Sequence, residues 1–266
     1  MDSRPEVTTE KPRATAAITR AASILEVLSS QHRALSLTEL GREAGIPKST
    51  LHGLLTDLVG TDLVRKVSEG GGYILGSRVI EFAHQYLDND VLVVSFMDQA
   101  EPFVRETGET VHLGRLEGTD VVYMARRQGS KAVRLVSRVG TRFPASVSAI
   151  GKTMLTMMSD DEIRSLYAGI ESLPTFTSRS IPTLEDLIRH VAQIRSGPGY
   201  AIDDEESQVG LRCYGAPLFR MSGHYFAISV TITASGHTRA EEDSIIASLL
   251  DLRTRLISSH DRSSQA

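Results

Sequence analysis

Apolar residues recur three and four positions apart from Ile18 through Ala21, Ala22, Leu25 and Leu28, the spacing of an amphipathic helix. Ser36-Leu37-Thr38-Glu39 is a capping box for a second helix that runs to Ala44, where Gly45 supplies a left-handed turn residue. Pro47 suits the first turn of a third helix, with Leu51, Leu54, Leu55 and Leu58 as its apolar positions. The period then shortens. Residues 63–67 and 73–75 read as the strands of a hairpin around the Ser68-Glu69-Gly70-Gly71-Gly72 tip.

From Gly76-Ser77 the helical period returns, with Val79, Ile80, Phe82, Ala83, Tyr86 and Leu87 covering more than one stripe before Asp88-Asn89-Asp90 interrupts it. Another helix is predicted over about 91–106, ending at Thr107-Gly108. Alternation of period two marks strands over 110–117 and 121–127, joined by a turn at 117–120, and a third strand around 132–136. Helices are predicted at 149–158, 160–168 and 183–196, and long strands at 212–220 and 225–233. The last helix starts at the capping box Thr238-Arg239-Ala240-Glu241 and carries Ile245, Ile246, Leu249, Leu252 and Leu256. Strands followed by helices predict an α+β fold, an antiparallel sheet covered by helices.

With 266 residues there is room for two domains, and a 41% hydrophobic fraction supports real cores. The single cysteine, Cys213, excludes an internal disulfide and any multi-cysteine metal site. No window approaches the roughly 20 apolar residues of a membrane helix, and residues 1–16 read as a polar, mobile arm without a signal-peptide core. The expectation is a soluble cytoplasmic protein with no membrane partner, no metal and no cofactor. The net charge of −4 means that nucleic-acid binding would have to come from a local patch. Between residues 1 and 75 nine basic side chains face nine acidic ones, so a neutral first domain would need a second copy to bind DNA well.

The stretch from Leu37 to Thr56 meets the requirements of a helix-turn-helix. Gly41 is the small contact, Gly45 the turn residue, and Leu40, Ala44, Ile46, Leu51 and Leu54 the apolar lock; the glycine-rich hairpin sits where a winged variant carries its wing. Burying those positions points Lys48, Ser49, Thr50, His52 and Gly53 outward. Ser49 and Thr50 can donate to phosphates or base edges, and His52 can read a purine N7. Arg20, Arg65 and Lys66 would clamp phosphates on either side.

By these residues the chain resembles the IclR family of bacterial transcriptional regulators. The resemblance rests on Arg20-Ala21-Ala22-Ser23-Ile24-Leu25, Leu37-Thr38-Glu39-Leu40, Gly45-Ile46-Pro47-Lys48-Ser49-Thr50, Thr107-Gly108-Glu109-Thr110-Val111 and Gly151-Lys152. It continues through Gly199-Tyr200-Ala201-Ile202-Asp203-Asp204-Glu205-Glu206, Leu211-Arg212-Cys213 and Ala227-Ile228-Ser229-Val230-Thr231. It implies an N-terminal winged helix-turn-helix domain (17–76), a linker and dimerisation helix (77–89), a C-terminal effector-binding domain similar to GAF and PAS sensors (90–258) and a disordered tail (259–266). Its partners would be a palindromic double-stranded DNA operator, a small-molecule effector and further copies of itself, as a homodimer or a dimer of dimers. The implied effector pocket comprises Ala149, Ile150, Asp203, Leu211, Cys213, Ser229 and Thr231, with Ala132 and Leu135 as an apolar wall. Amides at the Ile150–Gly151 helix start would hold a carboxylate, Ser229 and Thr231 would donate to it, and a buried Asp203 would find its partner in a ligand hydroxyl or water.

Two competing chemistries can be weighed on the residues alone. Ser146 to Thr153 nearly spells a nucleotide-binding loop, but Ser146 stands where a glycine is needed and no apolar strand ending in Asp follows. A hydrolase would use Cys213 with His112 or His224 as base, yet no nucleophile signature surrounds Cys213. A third alternative is a ligand-sensing scaffold that binds no DNA. The expected reading is a regulator, not an enzyme.

Overall fold

The computed structural model describes residues 16–67, 71–131 and 137–263, and the chain divides into two compact units after Tyr86. The first unit packs α1 (Ala16–Ser30), α2 (Leu37–Ala44) and α3 (Lys48–Gly60) around Ile24, Leu35, Leu40, Leu51 and Leu55. The capping box forms as expected: Ser36 Oγ accepts the Glu39 amide, and Glu39 Oε2 accepts the Ser36 amide at 2.8 Å. These hydrogen bonds and Arg33 hold the Glu39 carboxyl down at about 2. Gly45 adopts φ 63°, which favours glycine, and closes the α2–α3 turn. A Cβ on Gly41 would stand 3.2 Å from the Ile46 carbonyl oxygen and 3.3 Å from the Leu51 side chain, so a larger residue would press on the turn and on α3. Pro47 precedes α3 as its cap residue, one position earlier than the sequence suggests.

β1 (Val64–Lys66) and β2 (Tyr73–Leu75) pair antiparallel, and Leu35 adds a bridge to Tyr73. The chain then enters α4 (Arg78–Asn89), which buries none of its residues and leaves Ile80 63% and Phe82 54% exposed.

In the second unit Asp90 caps α5 (Val91–Thr107) by accepting the Leu92 and Val93 amides, and Gly108 ends it at φ 73°. The strands are β3 (Thr110–Glu117), β4 (Asp120–Arg127), β5 (Arg142–Pro144), β6 (Ala201–Asp204), β7 (Leu211–Met221) and β8 (His224–Thr233). They form one antiparallel sheet in the order β5-β4-β3-β8-β7-β6. Alternation sends Val111, Leu113, Ile228, Val230 and Ile232 to one face, against α5 and α9 (Arg239–Ser263). The other face takes Tyr225 and Ala227 with α6 (Ala149–Leu155), α7 (Asp160–Leu166) and α8 (Leu184–Arg195).

β5, β6 and the C-terminal tail differ from the pattern reading. β5 and β6 go unrecognised in the sequence, because one has three residues and the other carries two acids. The strand expected at 132–136 lies outside the described residues, as do residues 1–15 of the arm. The tail does not begin at 259: α9 continues to Ser263, with Ser259 Oγ 3.0 Å from Ser95 Oγ and His260 stacked on Phe219 at 4.1 Å.

Candidate functional site

In the first unit, the N-terminal end of α3 presents Lys48, Ser49, His52 and Gly53 to solvent, with Arg20, Arg65 and Lys66 also exposed. Thr50 departs from the expectation: it is half-buried beside Leu51, so the outward face is narrower than the five expected positions suggest. No side chain caps α3, and Thr56 Oγ1 instead donates to the His52 carbonyl at 2.9 Å. The uncapped first turn leaves amide donors and a partial positive charge facing outward beside a lysine and a serine, an arrangement that suits phosphate.

The second unit holds a cavity of about 250 Å³ between the sheet and the start of α6. Ala149, Ile150, Asp203, Leu211, Cys213, Ser229 and Thr231 all line it, while Ala132 and Leu135 lie outside the described residues. The convergence follows from register. Ser229 and Thr231 share one face of β8, Cys213 is opposite Thr231 on β7, and Asp203 is opposite Cys213 on β6. Cys213 Sγ lies 3.3 Å from Thr231 Oγ1. α6 reaches this floor because Gly215 faces it: a Cβ there would sit 2.4 Å from the Ala149 carbonyl oxygen. Gly151, on α6 itself, lies equally close to Ala145.

Two of the expected contacts are already spent within the protein. The buried Asp203 needs no ligand to satisfy it: Oδ1 accepts the Glu206 amide at 2.7 Å and the Ser207 amide at 3.2 Å, and Oδ2 accepts the Ser207 hydroxyl. Burial still raises its carboxyl above the usual range. The Gly151 amide is likewise taken, by Ser148 Oγ at 3.2 Å, so the helix start offers fewer donors than its sequence suggests.

The cavity also uses residues that pattern reading passed over. Phe143 and Phe176 stack at 5.4 Å on its wall, Tyr123 rises from β4, and Arg142 and Gln208 also line it. Beneath it, His112 on β3 hydrogen-bonds through Nε2 to Ser137 Oγ at 2.9 Å, and burial pulls its imidazole down to about 3. His112 is therefore neutral. A signal was present: Thr110 and His112 lie two apart, opposite Thr231 and Ser229, on the cavity face of the sheet.

The hydrolase alternative loses its parts. Burial, reinforced by Asp203, pushes the Cys213 thiol up, away from the thiolate a nucleophile needs. His224 is exposed at the far end of β7 and β8 from Cys213. The lysine of the near-miss phosphate loop, Lys152, has no exposed surface and pairs with Glu206. Among the described residues no cluster could hold a metal ion, and no helix is long and apolar enough to cross a membrane.

Comparison with known proteins bears on both units. Residues 17–68 match the IclR helix-turn-helix domain, and residues 84–258 match the bacterial transcriptional regulator IclR C-terminal domain. The HTH-type transcriptional regulator XynR of Escherichia coli is 31% identical over 230 residues, covering 86% of this chain and 89% of XynR. HTH-type transcriptional regulator KdgR of the same species is 31% identical over 214 residues, 80% of each chain. Among solved structures, an IclR transcriptional regulator from Alicyclobacillus acidocaldarius superposes with a TM-score of 0.80 at 23% identity, covering 92% of this chain and 98% of that one. An IclR homologue from Microbacterium hydrocarbonoxydans, complexed with 4-hydroxybenzoate, gives 0.75 at 21% identity, with 91% and 100% coverage.

Proposed function

Because the chain belongs to the IclR family of bacterial transcriptional regulators, whose members bind DNA and small-molecule effectors, we propose that a small carboxylic acid in the cavity sets its affinity for a palindromic operator. α3 reads the operator through Ser49, Thr50 and His52, and Arg20, Lys48, Arg65 and Lys66 hold its phosphates. The exposed apolar face of α4, with Ile80 and Phe82, is covered by a second copy, so that two domains engage two half-sites.

The observation that carries the effector reading is the cavity itself. About 250 Å³ is below the roughly 300–1,000 Å³ of drug-sized pockets, which fits a metabolite. Ile150, Leu211, Phe143 and Phe176 give it apolar walls, Ser229 supplies a hydroxyl, and Arg142 supplies a guanidinium that Glu117 at 2.6 Å only partly occupies. Apolar surface with one cationic fork suits an acid with a hydrocarbon or aromatic body. The 4-hydroxybenzoate of the structurally similar homologue has this chemistry.

A thermal-shift screen of small hydroxy-, keto- and aromatic acids on the full chain should find a stabiliser, and Ser229→Ala should weaken it. Gel shifts on an operator selected from random DNA should then change with that acid. If no acid stabilises the protein, or if the stabiliser leaves operator affinity unchanged at saturation, the reading fails.

A further inference from the structure

The cavity wall formed by residues 205–208 lies outside the sheet. β6 ends at Asp204, Glu205 takes a left-handed φ of 61°, and the chain returns to the sheet at Leu211. Other contacts hold this stretch. From behind, Lys152 Nζ donates to Glu206 Oε1, and both side chains are buried. From within, Asp203 takes the Glu206 and Ser207 amides. From the side, Thr177 Oγ1 donates to the Glu205 carbonyl and Ser180 Oγ to the Glu206 carbonyl, each at 2.7 Å.

Ser180 Oγ also accepts the Phe176 and Thr177 amides at 3.0 Å, so it ties its own segment into the same network. Arg179 pairs with Asp204 at 2.6 Å. Phe176, from that segment, lines the cavity, as do Ser207 and Gln208 from the other stretch. Two irregular stretches of chain therefore share one set of bonds and face one cavity.

We propose that residues 176–180 and 205–208 form a single flap over the cavity, closed on the buried Lys152–Glu206 ion pair, with Lys152 as its positioning residue. An ion pair suits a post that must let go. Both charges lose hydration on closure, and opening returns water to them, which offsets the lost attraction. An apolar pair in the same place would lack that return and would hold the flap shut. Opening then sits at the low end of the domain's range of local openings, well below exposure of the sheet core. The inference does not depend on which ligand enters, and its test uses none.

Cys213 lines the cavity, is half-buried in the closed form and is the chain's single cysteine, so opening is read as a rise in its rate of alkylation by iodoacetamide above that baseline. In the full-length protein, Lys152→Met should leave Glu206 buried without its partner and speed alkylation by about tenfold or more. Electrostatics alone would act the other way, because the Lys152 charge holds the Cys213 thiol down and its loss raises it. Adding Glu206→Met should return the rate to the wild-type value or below. Thr177→Val with Ser180→Ala, which keeps the ion pair, should also speed alkylation, with amide protection falling in 176–180. Protection at Val230 in β8 should stay constant throughout. The proposal is overturned if both the Lys152→Met and the hydroxyl variants react at the wild-type rate, or if Val230 loses protection in step with the flap, since the opening would then be global.

Discussion

His112 makes the first unequivocal demand on stability. Its imidazole is 1% exposed, hydrogen-bonded to Ser137 and held down to about 3, against an unfolded value near 6.5. As pH falls below 6.5 the unfolded chain takes up a proton that the folded protein refuses, so stability contributed by neutral His112 is present at neutral pH and lost on acidification. The window runs from about 6.5 down to about 3. Between pH 7 and pH 5 the loss comes to about 2 kcal/mol, since each pH unit inside the window is worth roughly 1.4 kcal/mol. Urea denaturation of the wild type and of His112→Gln at both pH values isolates this contribution, because every other titrating group is common to the two proteins. The variant should be less stable at pH 7 and should show a shallower fall toward pH 5, with the difference between the two slopes near that figure. Equal pH dependence in the two proteins would mean that the imidazole is protonated or hydrated in the folded state, and its burial beneath the cavity would not be what holds it neutral.

The DNA-reading face yields two contrasting outcomes. His52→Ala should cost about 1–3 kcal/mol on a selected operator and little on random DNA, whereas Arg65→Ala should weaken both alike and flatten the salt slope by about one unit. Gel shifts over a salt series separate them, and an equal loss on both DNAs for His52→Ala would remove it from base reading. Phe82→Asp places a charge on the exposed apolar face of α4 and should give monomers in light scattering, with operator affinity falling accordingly; an intact dimer would show that α4 is not the main interface.

What was legible in the sequence was mostly local. Ser36 with Glu39, Gly45 and Gly108 each act within a few residues of themselves, and each appears where its chemistry requires. A third capping box, Ser159 with Glu162, has the same signature and was equally readable. The candidate cavity residues were reached through family resemblance, and seven of them converge because strand register and the close approach of α6 over Gly215 bring them together. β6 was hidden because Asp203 and Asp204 look like a solvated turn; Asp203 can enter a buried strand because the amides three and four residues later fold back onto it. Phe143 and Phe176 carried no periodicity at all. Each lies in a short or irregular segment, and their stacking depends on a tertiary contact between stretches more than thirty positions apart.

The sheet suggests how an effector could be felt beyond its cavity. β8 is central, and its side chains alternate between the two faces. Ser229 and Thr231 meet the cavity, while Ile228, Val230 and Ile232 pack into the core shared with α5 and α9. A shift of this strand by a fraction of an ångström must be accommodated on both faces, because close-packed cores transmit displacement better than they absorb it. α5 follows α4 in the chain with only Asp90 between them, and Asp90 is committed to capping α5 through the Leu92 and Val93 amides. The cap thus fixes the start of α5 directly after the last residue of α4. The coupling required is small: typical effector linkage amounts to about 1–3 kcal/mol. That is comparable to one lost core contact, the scale on which a ligand that repositions Ser229 would act on the packing behind β8.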